Sequence, residues 1–197
     1  MVGAAFSVGE MDSSLLDQLR ARASDAARAT DDSTRAAARI FPPIDQQSFR
    51  LAEARLGFRL PAAVRELYST VGNGGFGPAY GILGLIGGAT NENGLDAVGL
   101  YERFRGPDFG DAQWSWPATF LPVGHLGCGM FACVDCSTDD ASLIWFEPNP
   151  HEDGEPWDDA FVPLNISLES WLRHWLEGSG HDLFEVAWNA KFGELDE

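Results

Sequence analysis

Residues 56–85 read LGFRLPAAVRELYSTVGNGGFGPAYGILGL, and this stretch decides the fold. Gly57 follows a helical pattern of apolar residues, so it is placed to adopt the left-handed conformation that closes a helix. Pro61 suits the first turn of a new helix, where its missing N–H leaves no hydrogen bond unmade. The stretch therefore predicts that one helix ends and another begins within a few residues.

A second helix is predicted after Pro61, because apolar residues recur there at helical spacing. They are Val64, Leu67, Tyr68 and Val71. Asn73, Gly74 and Gly75 tolerate positive φ and are expected to end this helix. The apolar run over 82–85 that follows predicts a buried strand.

Apolar spacing and turn residues predict further helices and a sheet in the rest of the chain. The predicted N-caps are Asp45 for the helix that ends at Leu56, Asn91 or Asn93 for a helix containing Val98 and Tyr101, and Ser167 for a helix that Gly178 closes. The predicted strands are 120–123, 130–135, 142–146 and 161–164. Short strands at this spacing indicate an α+β fold with a mainly antiparallel sheet and helices packed on one face.

The chain is expected to form one domain with an extension at each end, since its length and apolar content suit a single core. The arm over 1–39 is either a helix lying on the domain or a partly disordered lead-in. Phe41 and the two prolines after it break this arm, so the domain is predicted to span 40–177. Residues 178–197 are too apolar for a free tail, and we expect them to dock on the domain.

Charge is the most pronounced global property of the chain: 30 acidic residues against 13 basic ones give a formal net charge of −17. Such a surface repels nucleic acid and anionic membranes and attracts basic partners. Acidic surfaces also simply keep proteins in solution, so charge alone leaves both interpretations open. No apolar run approaches the ~20 residues of a membrane span, and no basic export signal opens the chain. A soluble, cytoplasmic protein is therefore expected.

One cluster has spacing that invites a zinc ion: His125, Cys128, Cys133 and Cys136. Cys133 and Cys136 lie three residues apart along a predicted strand, so their side chains point to opposite faces unless the strand turns between them. No nucleophile elbow, redox helix or phosphate-binding motif accompanies the cluster. The sequence therefore predicts no metal, no cofactor and no catalytic residue, and we expect the protein not to be an enzyme.

Two acidic segments are the candidate partner-binding residues. Asp139 and Asp140 occupy the predicted turn between strands 130–135 and 142–146. The second segment is a loop that contains Glu152, Asp153, Glu155, Trp157, Asp158 and Asp159. It lacks the spacing of an EF-hand, so it is either a solvated acidic loop or a partner-binding loop whose tryptophan is a hot spot.

An ordered series of motifs resembles the SUKH superfamily over roughly residues 40–177. The motifs are Leu56-Gly57-x-x-Leu60-Pro61, Asn73-Gly74-Gly75-Phe76-Gly77, Gly81-Ile82-Leu83-Gly84-Leu85 and Leu121-Pro122-Val123-Gly124-His125. That superfamily includes fungal cell-wall-assembly regulators and bacterial immunity proteins against secreted polymorphic toxins. The resemblance implies a SUKH-like domain, and none of its motifs marks a catalytic residue.

The resemblance implies a bacterial immunity protein that binds a cognate toxin in the cytoplasm and occludes its active site. An excess of acid suits a basic toxin such as a nuclease, because complementary fields accelerate association. The carboxylates of the two acidic segments then stand in for nucleic-acid phosphates. The alternatives are a regulatory or scaffold protein that binds endogenous partners, and an enzyme whose site the sequence does not reveal.

Overall fold

The computed structural model of the chain describes residues 11–31, 40–107, 111–178 and 182–193, and these residues form six α-helices and four strands. The helices are α1 (Ser13–Ala23), α2 (Gln46–Leu56), α3 (Ala62–Thr70), α4 (Ala97–Arg105), α5 (Leu168–Glu177) and α6 (Asp182–Phe192). The strands are β1 (Phe120–Gly127), β2 (Met130–Asp135), β3 (Ser142–Phe146) and β4 (Phe161–Ser167). The predicted α+β class is confirmed.

The strands form one antiparallel sheet in the order β1-β2-β3-β4. Trp145 of β3 pairs with Ala132 of β2 and Val162 of β4, and its ring lies against Phe184 of α6. The neighbouring Phe146 points to the opposite face, where it meets Phe104 of α4. The central strands are therefore buried from both sides, which explains their continuous apolar runs.

The helix boundaries follow the predicted caps at most positions. Gly57 and Gly178 end α2 and α5 in the left-handed conformation, and Asp45 accepts a hydrogen bond from the N–H of Ser48 at 2.8 Å. The prediction that Asn91 or Asn93 caps α4 is wrong, because Asp96 holds that position and accepts from the N–H of Gly99. The carboxamide of Asn91 instead closes the turn that precedes Asp96.

Residues 82–85 do not form the predicted strand. A single bridge between Ile82 and Gly124 joins this run to β1. The N–H of Leu85 donates to the side chain of Asn73 at 2.8 Å, and the N–H of Gly84 donates to Ala89. The N–H of Leu83 donates to the carbonyl of Val123 in β1, but because the neighbouring donors go to the surrounding loops, the run is buried without continuing a sheet ladder.

The described parts of the two extensions pack on the domain. Leu15, Leu16 and Leu19 of α1 are buried in the core, and the guanidinium of Arg22 lies 3.9 Å from the ring centre of Trp175. Leu183 and Phe184 of α6 pack against the same core. Residues 1–10 and 32–39 of the predicted arm, and 179–181 and 194–197 of the predicted extension, lie outside the described residues.

Candidate partner-binding site

The acidic loop is the connection between β3 and β4, over residues 147–160. Its first residue, Glu147, is buried and accepts hydrogen bonds from the backbone and side-chain N–H groups of Asn149 at 2.8 and 2.5 Å. Its last residues form a short 3-10 turn, Trp157–Ala160, whose Ala160 carbonyl accepts from the N–H of Glu147. The loop is therefore anchored at both ends.

Trp157 holds the middle of this loop against the rest of the domain. Its indole N–H donates to a carboxylate oxygen of Asp111 at 2.8 Å, and its ring stacks on His151 at a centroid distance of 3.6 Å. The ring also meets Trp114 edge-on at 4.8 Å. Trp157 is half-buried, so only part of the ring faces solvent. The residue predicted as a hot spot thus has a structural partner on each side.

The other candidate residues of the loop have exposed carboxylates. Glu152, Asp153, Glu155 and Asp158 are exposed, and no ion pair within the described ranges involves them. Asp159 pairs with Lys191 of α6 at 3.2 Å while its side chain stays 96% exposed. This part of the surface therefore projects negative charge that the described cations leave almost unneutralised.

Asp139 and Asp140 lie in the turn between β2 and β3, as predicted, and both are exposed. Asp140 accepts a hydrogen bond from the hydroxyl of Ser142 at 2.8 Å, which lowers the pKa of its carboxyl. The acidic loop leaves β3 at the other end of the strand, and a five-residue strand spans about 17 Å. The structure thus places the two acidic segments at opposite ends of β3.

An apolar groove beside the acidic loop was not found from the sequence. It has a volume of about 470 Å³ and lies between α4, the segment before β1, and the sheet. Its lining includes Leu95, Phe104, Trp114, Phe131, Phe146 and Trp157. These residues come from separate elements, so no local pattern indicates that they share one surface.

The His–Cys cluster is dispersed in the structure. His125 is buried between Tyr80 and Phe131, and its Nε2 lies 3.0 Å from a carboxylate oxygen of Glu92. Burial raises the pKa of the Cys133 and Cys136 thiols, whereas Cys128 is exposed in the turn between β1 and β2. In the described part of the chain, no group of His, Cys, Asp or Glu side chains is arranged to hold a metal ion.

The chain was compared with protein-family models and with curated proteins. The family model described as the SMI1 / KNR4 family (SUKH-1) matches residues 43–174. No curated protein matches the chain. None of the helices in the described ranges has the length and apolar character needed to cross a bilayer.

The SUKH family includes toxin immunity proteins, its members typically bind protein partners, and it is generally non-enzymatic. The match covers well over half of the chain, including every strand of the sheet. It agrees with the motifs quoted from residues 56–85, so the resemblance is confirmed. The protein belongs to the SMI1 / KNR4 family (SUKH-1).

Proposed function

We propose that the protein is a bacterial immunity protein that binds a cognate toxin in the cytoplasm and occludes its active site. Membership of a family that includes toxin immunity proteins supports this proposal. The observation that carries it is the exposed acidic loop, where Glu152, Asp153, Glu155 and Asp158 have no ion-pair partner among the described residues. An anchored surface with exposed carboxylates is suited to binding a basic protein.

The charge of the whole chain supports the same partner chemistry. A net charge of −17 creates a field that draws a basic toxin toward the domain from beyond contact distance. Electrostatic steering of this kind raises association rates to as much as ~10⁸–10⁹ M⁻¹s⁻¹ at low salt. Rapid capture suits a protein that must neutralise a toxin before it acts.

The loop also has the rigidity that such an interface benefits from. Its ends are fixed at Glu147 and Ala160, and its middle is fixed by the hydrogen bond from Trp157 to Asp111. A surface ordered before binding loses little conformational entropy on association. The carboxylates then occupy positions on a nuclease-like toxin that the phosphates of its substrate would otherwise take.

Co-expression with candidate toxins from the same strain tests the proposal. We expect growth to be rescued from one toxin, and we expect the purified complex to weaken as salt rises, since salt screens exposed charges. If no toxin is neutralised and the protein instead forms a stable complex with several endogenous proteins, the regulatory or scaffold alternative replaces the immunity function.

A pair of matched variants separates the loop from the overall charge. Glu152→Gln with Asp153→Asn changes the net charge by the same amount as Asp17→Asn with Asp25→Asn, which lie in and just after α1, and all of these side chains are exposed. We expect the loop variant to slow association with the toxin about tenfold at low salt, and the distant variant to slow it much less. Equal slowing by both variants would contradict a role for this loop.

A further inference from the structure

The groove beside the acidic loop has the size and composition of a binding pocket. Its volume of about 470 Å³ is within the ~300–1,000 Å³ typical of ligand pockets. Phe131 and Phe146 form a buried floor, and half-buried Trp114 and Trp157 stand beside it. Phe104 packs against Phe131 at 5.7 Å between ring centres, so the floor is a connected aromatic surface.

The rim of the groove is polar and held in place. The side-chain oxygen of Asn91 accepts hydrogen bonds from the N–H groups of Asn93 and Leu95, each at 3.0 Å. Glu92 is 54% exposed, and one of its oxygens lies 3.0 Å from Nε2 of buried His125. Arg103 adds one basic side chain to this lining. The rim is thus ordered, with an accessible carboxylate beside an apolar interior.

The groove is continuous with the acidic loop. Pro148 near the start of the loop and Trp157 in its 3-10 turn both line the groove. Asp158 and Asp159 directly follow Trp157 and are exposed. A partner that fills the groove therefore meets Glu92 in its lining, and the exposed carboxylates of the loop follow directly after Trp157 at its margin.

We propose that the groove receives one large apolar or aromatic side chain of the protein partner, with lysine or arginine residues flanking that side chain in the partner. This inference rests on the proposed function, because it supplies the anchor for the same interface. Interfaces concentrate their binding energy in a few anchors that are surrounded by polar contacts. The groove and the loop have this arrangement of an apolar centre and a charged margin.

Charge also identifies a basic protein as the occupant in preference to a second copy of this chain. Two copies that each have a net charge of −17 repel one another, and the groove lies beside one of the acidic segments. A basic partner gains attraction from the same carboxylates while it buries its apolar residue. The chemistry of the site therefore favours a partner of opposite charge.

Short peptides test this inference without any toxin. We would titrate the protein with acetyl-Arg-Trp-Arg-amide, acetyl-Glu-Trp-Glu-amide and acetyl-Arg-Ala-Arg-amide while recording ¹H–¹⁵N NMR spectra. The Arg-Trp-Arg peptide should shift the indole N–H signals of Trp114 and Trp157, and the Glu-Trp-Glu peptide should bind about tenfold more weakly. The Arg-Ala-Arg peptide should leave both indole signals in place. Equal affinities for the two tryptophan peptides, or shifts that map elsewhere, would overturn the inference.

Variants at the groove provide a second test of this inference. Asn93 is exposed and lines the groove, so Asn93→Phe should obstruct it and weaken Arg-Trp-Arg binding about tenfold. Leu95→Glu should weaken the apolar contact, and Leu51→Phe on the exposed face of α2 is the distant control. Unchanged peptide affinity in both groove variants, with thermal unfolding like that of the parent, would refute the assignment.

The two proposals fail in distinguishable ways. If a toxin is neutralised equally well by the parent and by Asn93→Phe, the groove is not the anchor and the immunity function stands. If the basic tryptophan peptide binds in the groove but no toxin is neutralised, the groove assignment stands and the immunity function does not.

Discussion

The indole N–H of Trp157 donates to a carboxylate oxygen of Asp111 across 2.8 Å, and this hydrogen bond ties the acidic loop to the segment before β1. The backbone N–H of Gln113 donates to the other oxygen of the same carboxylate. The hydrogen bond from Gln113 lowers the pKa of the Asp111 carboxyl the most, and the hydrogen bond from Trp157 lowers it further. Asp111 is therefore ionised at neutral pH and orients a side chain that also lines the groove.

Removing this hydrogen bond should loosen the loop. Trp157→Phe keeps an aromatic ring but loses the N–H, and we expect it to lower the free energy of unfolding by about 1–2 kcal/mol, since the pair is only partly buried. Urea denaturation measures this loss. A double-mutant cycle with Asp111→Ala, which removes the acceptor, should show coupling between the two positions, and strictly additive losses would argue against a direct interaction.

Asn73 should be one of the most sensitive polar positions in the domain. Its buried carboxamide accepts from the N–H of Leu85 at 2.8 Å and donates to the carbonyl of Ile86 at 2.9 Å. Asn73→Ala leaves both backbone groups without their partner, which should cost about 2–4 kcal/mol in chemical denaturation. Exposed Asn93→Ala is the control and should change stability by less than ~0.5 kcal/mol. Similar losses in the two variants would contradict the bridging role of Asn73.

Two glycines with positive φ should respond differently to alanine. At Gly57, with φ of 82°, a Cβ would meet no atom within 4 Å, so Gly57→Ala should cost only the left-handed strain of about 1–2 kcal/mol. At Gly74, with φ of 80°, a Cβ would lie 2.5 Å from the backbone nitrogen of Gly84. Gly74→Ala should therefore cost clearly more in thermal and urea unfolding. Equal costs would show that the backbone around Gly84 moves aside freely.

Thiol reactivity should distinguish Cys128 from the other cysteines. Cys128 is exposed, whereas burial raises the pKa of Cys133 and Cys136 and leaves little thiolate to react. We expect a chromogenic disulfide reagent at pH 8 to modify Cys128 rapidly and the others only after unfolding. The variant Cys128→Ala should lose the rapid phase and keep its protective activity, and loss of protection in a folded variant would favour thiol chemistry.

Asp45 should contribute to the loss of stability in acid. Its pKa is lowered, chiefly by the hydrogen bond from the backbone N–H of Ser48. The contribution of Asp45 to the free energy of unfolding is therefore fully present above the ordinary carboxyl pKa near 3.8. That contribution disappears as the pH falls through the lowered folded-state pKa. Asp45→Asn keeps a good N-cap without the titrating group, so its stability should vary less between pH 5 and pH 2 (roughly the interval over which the carboxyl titrates). Parallel stability curves for parent and variant would contradict this.

The sequence by itself determined the local boundaries of the fold. Gly57 and Gly178 close their helices, and Asp45 and Ser167 cap theirs, because capping depends on residues within one turn of each other. The second and third strands also lie where the apolar runs and turn residues placed them. The wrong cap predicted for α4 shows where local sequence is insufficient. Asn91 and Asp96 are both good capping residues, and Asp96 is the cap because the helix starts at Ala97.

Only the tertiary structure decided which of these residues form a surface together. The run over 82–85 has the composition of a strand, yet Asn73 and Ala89 take hydrogen bonds that a sheet neighbour would otherwise receive. The sequence predicted Trp157 as a partner-binding residue of the acidic loop. Its contact with Asp111 and its place in the groove depend on how the loop folds back. Such contacts join residues far apart in the chain, and they form only when the sheet and helices bury their apolar faces together.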